Sequence, residues 1–76
     1  MKALIYTTST CAYCGMVKKY LTNKGVEYEE RNAEEPEHGE EALRISGAMT
    51  VPVTVIGTSV IVGWNVSQLA EAVRLI

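Results

Sequence analysis

Long apolar runs, basic tracts and a surplus of cysteines are all missing from this 76-residue chain, and each absence removes a class of protein. No apolar run approaches the roughly 20 residues needed to span a bilayer. The opening stretch, Met1 to Tyr6, lacks the charged region, long apolar core and small-residue cleavage site of a secretory signal. The expected location is therefore the cytoplasm, without a membrane partner. Seven Lys and Arg face nine acidic residues for a net charge of −2, with no basic patch interleaved with aromatics. Nucleic-acid binding thus has no electrostatic support. Repeats, linkers and low-complexity tracts are also absent, so residues 1–76 read as one domain, expected to act as a monomer. A chain this short buries only a modest core, and many such domains add disulfides or metals. Here there are two cysteines, Cys11 and Cys14. A bridge between them closes too small a loop to restrain much of the unfolded chain, so it is a poor structural staple. In a reducing cytoplasm such a pair is better read as catalytic or metal-binding.

What is present divides into seven segments. Lys2 to Thr7 contains the apolar run Ala3-Leu4-Ile5-Tyr6 and reads as a buried strand. Tyr13, Met16, Val17, Tyr20 and Leu21 recur at helical spacing, predicting a helix over about Ala12–Lys24, stopped by Gly25. Val26 to Arg31 alternates Val26 and Tyr28 with glutamates, as a half-exposed strand does. A second helix is predicted over Pro36–Ile45, with acids near its start, Arg44 near its end and Gly47 closing it. Val51–Ile56 and Val60–Val62 are strand-like runs around Gly57-Thr58-Ser59, a hairpin signal. Asn65 and Gln68 have capping-box spacing ahead of a last helical face of Val66, Leu69, Ala70, Val73 and Ile76. The order β-α-β-α-β-β-α predicts an α/β fold: a right-handed crossover, then a hairpin, in one four-stranded mixed sheet with helices on both faces.

Cys11-Ala12-Tyr13-Cys14 falls where the first loop meets the first helix. Unpaired N–H groups and the partial positive charge of a helix start both stabilise a thiolate. Cys11 at that cap is expected to titrate below the ~8.5 of a free thiol. It is the expected nucleophile toward a substrate disulfide, and Cys14 the thiol that resolves the mixed disulfide. Two other readings compete. Zinc needs about four ligands, and the chain offers two cysteines and His38, so a metal-binding module would call for two chains sharing four thiolates. Inert burial of both thiols is the third, but it leaves a CxxC at a helix start unexplained. Tyr13 has a place on the apolar helix face or over the sulfurs. Trp64, in a Gly–Asn turn, reads as an exposed or half-exposed contact for a partner. Tyr20 and Tyr28 read as packing residues. His38 and the acidic stretch from Glu29 to Glu41 read as solvated surface.

Tyr6-Thr7-Thr8-Ser9-Thr10-Cys11-Ala12-Tyr13-Cys14 resembles the glutaredoxin active-site segment, Tyr-Thr-Lys-x-x-Cys-Pro-Tyr-Cys, and Thr50-Val51-Pro52 resembles that family's Thr-Val-Pro element. The resemblance spans essentially the whole chain. It implies a thioredoxin-like fold of glutaredoxin type and a dithiol thiol–disulfide oxidoreductase with Cys11 and Cys14 catalytic. It also implies a cis Val51–Pro52 bond beside the sulfurs, with the Val51 backbone pairing to an extended substrate or glutathione. Tyr13, Val51, Pro52, Trp64 and Asn65 are the substrate-binding residues it suggests. No tightly bound cofactor is implied; glutathione is a candidate reductant. Ala12 in place of the proline loosens the motif and alters redox poise, while two departures bear on that reductant: Thr8 replaces the lysine, and Val62-Gly63-Trp64-Asn65 stands for a Gly-Gly-x-Asp-like segment without its carboxylate. They point toward the NrdH-redoxin group, with thioredoxin reductase as donor ahead of glutathione. Ribonucleotide reductase is the protein substrate that group suggests.

Overall fold

The computed structural model describes residues 2–48 and 50–75. Its elements run β1 (Lys2–Thr7), α1 (Cys14–Asn23), β2 (Glu27–Asn32), α2 (Pro36–Ser46), β3 (Val53–Ile56), β4 (Ser59–Val62) and α3 (Val66–Arg74). This is the order read from the sequence. The strands form one sheet in the order β2-β1-β3-β4. β1 pairs parallel with β2, and antiparallel pairs join β1 to β3 and β3 to β4.

Strand alternation sorts the side chains into two cores. Ala3 and Ile5 of β1, Ile56 of β3 and Ile61 of β4 pack with Val17 and Leu21 of α1 and with Leu69 and Ala72 of α3. Tyr6 and Val53 turn the other way and pack with Ala42 of α2, with Leu4 and Val55 beside them. Helices therefore cover both faces, two on one side and one on the other.

Several boundaries differ from the sequence reading. α1 begins at Cys14 rather than Ala12, because residues 9–13 form turns outside the helix. The buried face of α1 is Cys14, Val17 and Leu21, whereas Tyr13 and Met16 are exposed. The true stripe lies one residue along from the Tyr13–Met16 pair, and hydrophobic character alone does not distinguish the two. β3 begins at Val53, leaving Val51 and Pro52 ahead of the strand. β4 already begins at Ser59, which pairs with Ile56. α2 ends one residue later, at Ser46, with Gly47 left-handed at φ 71° and its N–H on the Leu43 carbonyl. Asn65 caps α3 by accepting from the Gln68 N–H at 3.1 Å. Ile76, assigned from its spacing to the last helical face, lies outside the described residues.

Two glycines in helices face opposite environments. A Cβ on Gly39 would meet the Ala33 carbonyl oxygen at 2.6 Å, so this glycine lets α2 lie against the loop after β2. A Cβ on Gly15 would meet nothing within 4 Å. Gly15→Ala is expected to stabilise the protein by roughly 0.4–1 kcal/mol through reduced unfolded-state freedom. Gly39→Ala is expected to destabilise it by about 1 kcal/mol or more, since a backbone atom blocks the added methyl. Urea midpoints of the two variants should therefore move in opposite directions; a shared direction would contradict the close approach at Ala33.

Candidate active site

The C-terminal end of β1 delivers the chain into a turn in which the Cys11 N–H donates to the Thr8 carbonyl at 3.3 Å. Two residues later α1 starts, with Tyr13 at its N-cap and Cys14 as its first residue. Tyr13 offers no side-chain cap, and the first turn holds no acidic residue. In their place the Cys14 N–H donates to Cys11 Sγ at 3.2 Å. Cys11 is thus not itself the helix cap, as the sequence spacing suggested. Its sulfur takes the role of the missing cap acceptor from three residues upstream. An anionic sulfur there meets a backbone donor and the positive end of α1 without a competing carboxylate in that turn.

The two sulfurs are bonded to each other, with the Cα atoms 5.5 Å apart. Their surroundings are unequal. Cys14 is 3% exposed and packed inside the fold, while Cys11 is half-buried. Both line a cavity of about 530 Å³ shared with Thr7, Thr8, Lys18 and Glu30. Glu30 accepts from the Thr7 hydroxyl at 2.6 Å and from Lys18 Nζ at 3.2 Å. The Thr7 hydrogen bond foremost, with Lys18 assisting against partial burial, holds the Glu30 carboxyl below the usual carboxylate range.

Glu30, read from the sequence as part of a solvated acidic surface, is indeed exposed, but it is tied to Thr7 and Lys18 beside the sulfurs. The parallel register pairs Ile5 with Glu30 and Thr7 with Asn32. Partners across a strand pair point to one side, so Glu30 shares the α1 face with Thr7. The next residue, Arg31, pairs with Tyr6 and turns to the α2 face. There Arg31 and the Tyr6 hydroxyl both donate to Glu41, and Arg31 also donates to Glu29 at 3.0 Å. Burial above all, with the Glu41 hydrogen bond, raises the Tyr6 pKa. Alternation along β2 already places Glu30 and Arg31 on opposite faces; the β1–β2 register reveals which face each serves. His38, also read as solvated, is half-buried, with Nε2 3.7 Å from Glu35.

The other sequence candidates are arranged as follows. The Val51–Pro52 bond is cis, as the resemblance implied. Pro52 is buried, and its carbonyl accepts from the Gly63 N–H at 2.8 Å, tying the loop before β3 to the turn before α3. Val51 lines a second cavity, which shares Thr8 with the sulfur-bearing one. Tyr13 is 54% exposed at the start of α1. Trp64 is half-buried, its ring meeting Tyr20 edge to face at 6.1 Å between centroids. The Asn65 side-chain oxygen is occupied by its helix cap. Among the described residues, no group of three or more His, Cys, Asp or Glu is placed to hold a metal ion, and no helix is long and apolar enough to cross a membrane.

Comparison with known proteins agrees with this arrangement. Residues 3–61 match the family described as Glutaredoxin. An uncharacterized glutaredoxin-like 8.6 kDa protein in the rubredoxin operon of Clostridium pasteurianum is 33% identical over 71 residues, covering 92% of this chain and 95% of that one. The crystal structure of a glutaredoxin from Archaeoglobus fulgidus is similar with TM-score 0.83 at 32% identity, over 95% of this chain and 85% of the other. The glutaredoxin-like NrdH-redoxin from Escherichia coli, a protein described as having a thioredoxin-like activity profile, is similar with TM-score 0.80 at 28% identity over 93% of each chain.

The Glu30 network sets a pH dependence. Its folded pKa is depressed, so its contribution to stability is present in full above the unfolded value of about 4.3 and is lost as pH falls through the folded value. Thr7→Val removes the principal cause. Carbon-detected NMR titration should show the Glu30 carboxyl moving back up toward the ordinary range in that variant. An unchanged titration would assign the depression to something other than Thr7.

Proposed function

The chain belongs to the glutaredoxin family, and on that footing we propose that it is a dithiol thiol–disulfide oxidoreductase in which Cys11 attacks and Cys14 resolves. The observation that carries the assignment of roles is the asymmetry at the start of α1. Both cysteines line the cavity, but Cys11, whose Sγ receives the Cys14 N–H, is half-buried, whereas Cys14 is only 3% exposed. A thiolate that is both stabilised and reachable is the attacking one.

The reduced protein starts the cycle with a Cys11 thiolate. It attacks one sulfur of a substrate disulfide, forming a Cys11–substrate disulfide and expelling the other substrate sulfur as a thiolate. Cys14 then loses its proton and attacks Cys11 Sγ, forming the Cys11–Cys14 bond and expelling the second substrate thiolate. Two electrons have passed to the substrate, whose two thiolates take up protons, and the protein is left in the bonded state described above. A donor supplying two electrons restores the dithiol.

For that donor we favour a flavoprotein reductase of the thioredoxin-reductase type over glutathione. Charge-assisted contacts to the carboxylate and ammonium groups of glutathione are worth roughly 1.5–3 kcal/mol each. Position 8 is a threonine and offers no such contact, and the Asn65 side-chain oxygen is already committed to capping α3. Similarity to NrdH-redoxin supports the same choice. The substrate is then a protein disulfide, ribonucleotide reductase being the example that group suggests, met in the cytoplasm by a monomeric carrier.

Cys11→Ser should abolish disulfide reduction, while Cys14→Ser should accumulate a mixed disulfide visible by intact mass. Full dithiol activity in Cys11→Ser would reassign the nucleophile. With NADPH and a disulfide substrate, thioredoxin reductase should sustain turnover better than glutathione with its reductase; the reverse order would make glutathione the donor. Protein purified without chelator that carries stoichiometric metal and resists thiol alkylation would instead favour a thiolate-bridged metal dimer.

A further inference from the structure

Cys14 has to stay uncharged while Cys11 ionises, because two thiolates side by side repel, and then has to ionise itself to resolve the mixed disulfide. Both residues lie at the start of α1, where the polarity of the helix end favours a thiolate at either. The surroundings must therefore tell the two apart. Burial does part of this, since Cys14 is 3% exposed.

The walls of the sulfur cavity do the rest. Among the described residues, its charged walls are Lys18 from α1, Glu30 from β2 and Glu34 from the loop after β2, while β1 gives the uncharged Thr7. Thr7, 4% exposed, spends its only hydroxyl hydrogen on Glu30 at 2.6 Å. Toward the cavity it then has lone pairs alone. Lys18 Nζ reaches both Glu30 oxygens, at 3.3 and 3.2 Å. The Ser9 hydroxyl, from another wall, donates to Glu34 at 3.0 Å. Three side-chain donors that share the cavity with the sulfurs are thus turned to carboxylates, two of them to Glu30. The Cys14 N–H does reach a sulfur, and that sulfur belongs to Cys11.

We propose that Glu30 is a positioning residue of the resolving step: by holding the Thr7 hydrogen and the Lys18 ammonium, it keeps Cys14 a thiol until Cys11 has joined the substrate. The inference rests on the dithiol reading above and deepens it. With Glu30 in place, Cys14 shares its cavity with a hydroxyl able only to accept, a cation already paired, and a carboxylate. Each favours S–H over a sulfur anion. Glu30 keeps its charge throughout, because its carboxyl titrates below the usual range. Formation of the mixed disulfide removes the Cys11 charge. The Cys14 proton then passes to water at the open cavity, and the electron pair left on Cys14 Sγ displaces the substrate thiolate from Cys11 Sγ.

The test mixes the reduced full chain with one equivalent of dithiobis(nitrobenzoate) in stopped flow, where thionitrobenzoate is released twice. The first release reports attack by Cys11. The second, independent of concentration, reports Cys14 displacing thionitrobenzoate from Cys11 Sγ, and its rate rises with pH through the Cys14 midpoint. Glu30→Gln removes the charge and frees Lys18, and should lower that midpoint by about one unit, the low end for a neighbouring charge. At neutral pH its second release should be about threefold faster: about tenfold more thiolate, offset by lower nucleophilicity. Lys18→Met leaves the Glu30 charge unneutralised and should move the midpoint up. Thiolate absorbance of Cys14 in a Cys11→Ser background should shift in the same two directions. If one variant fails to fold, the direction of the other decides. Midpoints that stay in place, or that move in a shared direction, would overturn the proposal. A slower second release with an unmoved midpoint in Glu30→Gln would make Glu30 a structural support and overturn it as well. A wild-type chain that gives no second release removes the dithiol reading and the proposal together, whereas a second release with unmoved midpoints removes the proposal alone.

Discussion

The parallel pairing of β1 with β2 is the constraint on which the rest of the site depends. Two parallel neighbours cannot be joined by a tight turn, so the chain must leave the C-terminal end of β1, cross the sheet and return. The crossover element is α1, and its start necessarily lies at the end where β1 stops. That end is where the helix has unpaired N–H groups and positive potential. The cysteine pair thus occupies the one place along the β1–α1–β2 unit where backbone geometry alone favours a sulfur anion. The same pairing ends with the Ala33 N–H on the Thr7 carbonyl at 2.7 Å, which sets the end of β2 and the loop after it beside Thr8, with Ala33 lining one cavity and Asn32 and Glu34 the other.

Electrostatics around the sulfurs is built from few charges, and their placement follows from strand alternation. One face of β2 gives Glu30 to Thr7 and Lys18, beside the cysteines. The other gives Arg31 to Glu41 and Tyr6, beneath α2. Lys18 and Glu30 remain partly exposed, so their mutual attraction is screened and contributes little to stability. Its consequence is local: the cation nearest the sulfur cavity on α1 is already paired with a carboxylate. Helix-end polarity and the Cys14 N–H are therefore the groups left to stabilise the Cys11 thiolate that the proposed mechanism calls for.

The loop with the cis bond and the turn before α3 act as one unit. The Pro52 carbonyl accepts from the Gly63 N–H, Gly63 takes a left-handed conformation at φ 77°, and Asn65 then caps α3. Trp64 lies between these anchors and against Tyr20 of α1. Its packing links the far side of the hairpin to the helix that carries Cys14. Trp64 thus contributes to the core around α1, with part of its surface still open to solvent.

Element order, fold class and the cysteine pair were legible in the sequence because each rests on local signals. These were apolar periodicity, glycines at helix stops, the Asn65–Gln68 spacing and a CxxC after an apolar strand. The cis Val51–Pro52 bond was legible by resemblance of a short motif rather than by any physics local to those residues. Tertiary structure alone decided which apolar stripe of α1 faces inward, since Tyr13 and Met16 match Cys14, Val17 and Leu21 in spacing and in hydrophobicity. It also decided which face of the sheet Glu30 and Arg31 each serve, and that Thr8 lines two cavities. Those facts depend on register and on distances between segments more than twenty residues apart. Periodicity reports how a segment alternates, but not which partner it meets across the sheet.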